Sequence, residues 1–203
     1  MSQLKLTAAS GGGTVAIKGP ASTAGNAAIE LTVPGTASGT LAVGDTGKIL
    51  QVVQAVKTDT ASSNTATFAD LSGLSVSITP ASSSNKILVS CALHVSSQQN
   101  SFQGFKVLRD STAIGLGTAA TGNMSNVSFA TMAVNTGSAA YGLRSANFEF
   151  LDSPNSTSAI TYKIQWASLY QSYTSYINRP YSTTNEAFNC HASSSITVYE
   201  VAA

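Results

Sequence analysis

From Lys48 onward the chain alternates apolar and polar positions with period two, the spacing that turns one set of side chains of a strand inward and the other outward. Leu74, Val76 and Ile78 alternate with Ser75, Ser77 and Thr79. Between Lys86 and Val95, one face takes Ile87, Val89, Cys91, Leu93 and Val95, and the other takes Ser90, Ala92 and His94. Over 158–169 the same pattern sets Ile160, Tyr162, Ile164 and Trp166 against Thr161, Lys163, Gln165 and Ala167. Further strands are expected at 49–57, 102–108, 127–134, 146–151 and 195–201, with their β-branched and aromatic residues inside, and a shorter one at 65–68. No segment keeps a 3.6-residue apolar period over three turns, so little helix is expected. Roughly eight to ten antiparallel strands over about 155 residues predict an all-β sandwich, specifically a jelly roll, because one open sheet of that size leaves a greasy face bare.

The first 47 residues break this pattern. They are rich in Gly, Ala, Ser and Thr, with Gly11-Gly12-Gly13, Gly19-Pro20 and Pro34-Gly35 as turns around short apolar stretches. Ordering such backbone costs about 1–2 kcal/mol per residue, more than these stretches recover alone. Residues 1–47 therefore read as an extended arm with short strands, held by the main domain, sister chains or another protein through Leu4, Leu6, Val15, Ile17, Ile29, Leu31 and Val33. Residues 48–203 read as the globular domain.

Composition changes the picture of the surface. Of 203 residues 43% are hydrophobic and only 9% charged, against a usual charged share of about 25%. Runs such as Ser82-Ser83-Ser84 and Ser193-Ser194-Ser195 do the solvating instead. A hydroxyl-rich surface is nearly insensitive to salt and suits symmetric packing against copies of itself, where like charges would otherwise be buried together. The net charge of +1 offers no footprint for a phosphate backbone, which disfavours nucleic acid as a partner. The start of the chain lacks the apolar stretch of a signal peptide, and no window approaches the roughly 18 apolar residues of a membrane span. Synthesis in a cytoplasm without membrane insertion is expected.

Catalytic motifs are absent from the sequence. Only His94 and His191 could act as bases, and no G-x-S-x-G elbow accompanies them. Cys91 and His94 fall on opposite faces of one strand, which argues against a shared metal, and Cys91 reads as a core thiol. Cys91 and Cys190 form no local zinc or redox motif and are expected to be free. The nine carboxylates are scattered, with Asp110, Asp152 and Glu186 in turn-like settings. No cofactor or metal is expected. The unusual feature is a tyrosine cluster, Tyr170, Tyr173, Tyr176 and Tyr181 with Asn178 and Arg179, in the connection before the last strand. Such rings suit packing between subunits or capping of the sandwich, the preferred reading because aromatics are enriched at permanent interfaces, and alternatively a host surface glycan, with strength gained from several copies.

Several phrases carry a family resemblance: Gly47-Lys48-Ile49-Leu50-Gln51-Val52-Val53-Gln54, Leu74-Ser75-Val76-Ser77-Ile78-Thr79-Pro80, Asn85-Lys86-Ile87-Leu88-Val89, Tyr176-Ile177-Asn178-Arg179-Pro180 and Ser195-Ile196-Thr197-Val198-Tyr199-Glu200-Val201. In this order they resemble fibre-like structural proteins of marine phages, cyanophages included. Leu4-Lys5-Leu6, Val15-Ala16-Ile17-Lys18-Gly19-Pro20 and Leu31-Thr32-Val33-Pro34-Gly35 are similar to the start of many phage tail-fibre and head-fibre proteins. The resemblance implies a jelly roll of the C1q and tumour-necrosis-factor type, a homotrimer, and a place in the virion. The expected function is that of a non-enzymatic fibre or appendage subunit, a tail fibre first of all, anchored to tail or capsid proteins by its arm. The alternatives are a capsid decoration, cement or head-fibre protein and, further off, a virion-borne glycan hydrolase.

Overall fold

The structure is a computed structural model and describes residues 3–7, 14–18, 48–98, 101–118, 121–133, 142–170 and 173–203. The chain divides into two units, Met1–Val43 and Gly44–Ala203. In the first, β1 (Gln3–Thr7) and β2 (Thr14–Lys18) pair antiparallel, with Leu4 opposite Ile17 and Leu6 opposite Val15. The expected anchoring residues Ile29, Leu31 and Val33 lie outside the described residues.

The second unit is all-β. Its strands are β3 (Ile49–Lys57), β4 (Ala61–Ser63), β5 (Ala69–Ile78), β6 (Lys86–Ser97), β7 (Ser101–Arg109), β8 (Thr112–Ile114), β9 (Phe129–Ala133), β10 (Arg144–Asp152), β11 (Ile160–Ser168), β12 (Ser175–Ile177) and β13 (Ser194–Val201). The first sheet has the order β3-β13-β6-β12-β4, with β10 on the free side of β6; the second has the order β5-β11-β7-β8, with β9 also on β7. Four antiparallel pairings are nested: β3 with β13, β5 with β11, β6 with β10 and β7 with β9. A long hairpin rolled upon itself gives this nesting, which is the jelly roll.

The core lies between the two inner faces. Ile87, Val89, Cys91, Leu93 and Val95 of β6 meet Phe105 and Val107 of β7 and Ile160, Tyr162, Ile164 and Trp166 of β11, all buried. Leu74, Val76 and Ile78 of β5 complete the expected inward set. Phe105, Phe129, Phe148 and Phe150 stack in sequence at centroid spacings of 4.8, 5.4 and 6.2 Å, carrying aromatic packing from the second sheet to β10 of the first. Gly115, at φ +60, leaves room for this stack, since a Cβ there would overlap the Phe148 ring.

Several expectations need correction. Residues 65–68 form no strand; the short strand is β4 at Ala61–Ser63, and β5 begins at Ala69, well before Leu74. In β7 the aromatic Phe102 points out, at 48% exposure, and Gln103 points in, fully buried. The parity of β7 is set by Phe105 and Val107, so the first apolar residue lands on the outer face. In β3 both parities are apolar, and the outward one carries Leu50, Val52 and Val56. Of the expected turn acids, Asp110 stays in a turn and accepts the Thr161 amide at 2.9 Å. Asp152 instead ends β10, buried, and its carboxylate accepts from Arg109 Nη1 at 2.9 Å and from the Tyr162 hydroxyl at 2.7 Å.

Candidate functional site

Both β12 and β13 lie along the same side of β6, since β10 occupies the other: β13 pairs with 86–92 and β12 with 95–97. The chain therefore leaves this column after Ile177 and re-enters it at Ser194, with Tyr181 in the connection between them. Asn178 closes the gap. Its Nδ2 donates to the carbonyls of Lys57 at 2.7 Å and Asp59 at 2.9 Å, and its Oδ1 accepts from Ser194 Oγ at 2.6 Å. Its backbone amide donates to His94 O, and its carbonyl accepts from the Ala192 amide. Asn178 adopts φ +64, a left-handed conformation that Asn tolerates better than most residues. With no exposed surface within the chain, it acts as a structural pin between strands.

The rest of the tyrosine cluster separates into two groups. Tyr176 sits on the outer face of β12, opposite Ser62 and Ser96 in register. The Arg179 guanidinium covers its ring at 4.0 Å, and Tyr181 packs beside it at 6.1 Å. Ser96 Oγ donates to Arg179 O at 2.8 Å, so the loop after β12 folds back over its own sheet. Tyr176 is consequently buried and Tyr181 is 37% exposed. His94 shares this outer face; its Nδ1 lies 2.8 Å from Ser193 O and so carries the proton it donates there. His191 is exposed in the loop.

Tyr170 and Tyr173 lie in the connection after β11, beside the second sheet. Tyr170 meets Phe102 edge-on at 6.0 Å and Tyr173 at 6.3 Å. Met132 of β9 stands directly opposite Phe102. Phe102, Met132 and Tyr170 are 48%, 42% and 43% exposed and form a compact apolar patch. Sequence reading missed Phe102 and Met132. The parity of β7 carries the signal, because Phe102 alternates in phase with Gly104 and Lys106 and out of phase with Phe105 and Val107.

The outer faces of the two sheets differ in chemistry. On the second, Lys163 pairs with Asp70 at 2.7 Å and Gln165 donates to the same carboxylate at 2.7 Å. These donors, Lys163 first, hold the Asp70 carboxyl below its ordinary range. Ser77 and Thr161 share a hydroxyl bond, and Lys106 lies over the Phe68 ring. On the first sheet, residues in register form a row across four strands: Val52, Tyr199, Leu88 and Leu151. Val52 and Leu151 are 57% and 54% exposed, and Leu50 and Val56 extend the apolar area along β3. The next row turns polar, with Gln54 bonded to Thr197 and Ser90 to Glu149.

Two of the acids, Asp152 and Glu200, are buried. Glu200 is fully buried; its carboxylate accepts from Gln51 and Asn85 side chains at 2.5 and 2.6 Å and from the Ala81 amide at 2.7 Å. Burial alone would raise its pKa, and these bonds, with that from the Ser82 amide, more than reverse the effect. Burial pushes the Cys91 thiol up to about 12. Among the described residues no group of three His, Cys, Asp or Glu is placed to hold a metal ion.

Comparison with known protein families returns no match, and no curated protein matches the chain. Among solved structures the chain is similar to one in the structure of infectious bursal disease virus Gx strain, at 14% identity and a TM-score of 0.37. The alignment covers 85% of this chain and 43% of that one, so the chain spans less than half the length of this neighbour.

Proposed function

We propose that the chain is a virion structural subunit without enzymatic activity, a tail fibre or related appendage in which jelly rolls associate as a homotrimer and the first 47 residues dock onto other virion proteins. The observation that carries this reading is the row Val52, Tyr199, Leu88 and Leu151 with its flanks Leu50 and Val56. An apolar sheet face in a chain with only 9% charged residues calls for a cover, and among the described residues β3 is an edge strand, with no charge between Ile49 and Val56 to keep other strands away. A symmetric assembly supplies that cover with copies of the same surface. The patch of Phe102, Met132, Tyr170 and Tyr173 then remains for contact with a host surface glycan, weak per site and strengthened by copy number.

The test compares the molar mass of the full-length wild type in solution with that of Val52→Glu and Leu151→Lys. The reading expects a trimer for wild type and monomers of unchanged β-sheet spectrum for the variants. A wild-type monomer at micromolar concentration sinks it. Imaging of particles carrying the protein then tells tail from shell, the second being the decoration-protein alternative. Incubation with host envelope polysaccharide, with no oligosaccharide released, is the expected result for a subunit that only binds.

A further inference from the structure

Where β6 turns into β7, the space between the sheets changes from hydrocarbon to hydroxyl. Ser101, Gln103, Ser168 and Ser175 meet there, none more than 1% exposed. Ser168 Oγ donates to the Tyr173 carbonyl at 2.6 Å, and Ser175 Oγ donates to Ser168 Oγ at 3.1 Å. Ser101 Oγ lies 3.0 Å from Ser168 Oγ, whose one proton is already committed, so Ser101 is the donor in that pair. Gln103 Nε2 donates to Ser175 Oγ at 3.0 Å. Every hydroxyl proton of the cluster is then in use, while Gln103 Oε1 is buried without a partner.

Turning the carboxamide over does not remove the deficit. Oε1 would then face Ser175 Oγ, whose proton must turn away from Ser168 to reach it, and Nε2 would become the stranded group in place of Oε1. In one orientation the cluster lacks a donor and in the other an acceptor. Buried amide groups of this kind are satisfied by ordered water when the protein does not supply a partner.

We infer that this cluster binds one internal water molecule against the Gln103 carboxamide. Water both donates and accepts, so it satisfies either orientation of the amide. Ser101, two positions before Gln103 on the same face of β7, keeps oxygen lone pairs free for the second water hydrogen. The hydrated cluster links β7, β11 and β12 and holds the backbone carbonyl of Tyr173 through Ser168. It thereby fixes the connection that carries Tyr173 at the exposed aromatic patch, and it does so whatever that patch binds.

The test is oxygen-17 magnetic relaxation dispersion on the full-length protein and on Gln103→Leu, which removes both the donor and the acceptor. The wild type is expected to show one more long-lived water per chain than the variant. Equal dispersion amplitudes overturn the inference. Should Gln103→Leu fail to fold, a wild-type crystal structure at a resolution that shows ordered water decides. Density within hydrogen-bonding distance of the Gln103 amide, about 3 Å, supports the site. A dry carboxamide, or one bonded to another protein group, overturns it.

Discussion

The Tyr162 hydroxyl, on the inner face of the second sheet, donates to Asp152 Oδ2 of the first sheet at 2.7 Å, and both side chains are buried. Arg109 Nη1 lies 2.9 Å from each oxygen of the same carboxylate. Burial, reinforced by the Asp152 carboxylate, holds the ionisation of Tyr162 far above its ordinary range, so the phenol stays a donor. A charge-assisted bond between layers resists sliding in a way that hydrocarbon contacts alone do not.

Tyr162→Phe should therefore fold to the same structure and lose about 2 kcal/mol, the value of a hydrogen bond to a charged group. Urea denaturation followed by circular dichroism reads this as a lower midpoint at an unchanged slope. A variant as stable as wild type would mean that the bond contributes nothing net.

Acid should weaken the fold through Glu200. Its carboxyl is held below the ordinary value of 4.5, so its stabilising contribution is complete above that value and is lost as pH falls through the lower native pKa. Stability is expected to be flat from neutral pH down to about 5 and to decline below it. Glu200→Gln should be less stable at neutral pH and show a shallower acid decline. An identical acid slope in the variant would assign the decline to other carboxylates. Asp70 is not a strong rival, because its pair with Lys163 is half exposed and screened by solvent.

Asn178→Ala should cost about 3 kcal/mol, because it strands the carbonyls of Lys57 and Asp59 and the Ser194 hydroxyl in a buried gap and adds strain at positive φ. Asn178→Asp, which keeps only the bond from Ser194, is expected to be destabilised too. Thermal melting of both against wild type is the measurement. Unchanged melting would mean that these bonds contribute nothing net.

The two thiols should behave differently. Cys91 is buried with its pKa pushed up to about 12, while Cys190 is exposed. A thiol reagent at neutral pH is expected to label Cys190 alone in the native protein and both cysteines after unfolding. Fast native labelling of Cys91, located by peptide mapping, would show that the core opens locally.

How much could be read beforehand follows from where each contact is made. Alternation in β6, β11 and the latter half of β5 named the buried face correctly, because one parity there is apolar and the other is not. In Ile49–Lys57 both parities are apolar, and alternation cannot choose between them. The pairing Val198 with Val53 decides it by drawing Val53 inward, which leaves Val52 out. Phe102 misled for a related reason: an aromatic ring at the start of a strand marks the strand and leaves its facing open.

The tyrosine connection shows the other boundary. Its unusual composition was visible, yet its division into a group over β12 and a group beside Phe102, with Asn178 sealed between strands, depends on partners remote along the chain. Asn178 bonds a carbonyl 121 positions away, and no local pattern encodes such a meeting. Sequence alone determined the all-β class, the main strands and the scarcity of charge, since these follow from side-chain periodicity and composition. The facing of β3 and β7, the burial of Asn178 and the polar clusters joining the sheets were decided by tertiary structure, because burial belongs to the packed whole and long-range hydrogen bonds exist only once the layers have closed.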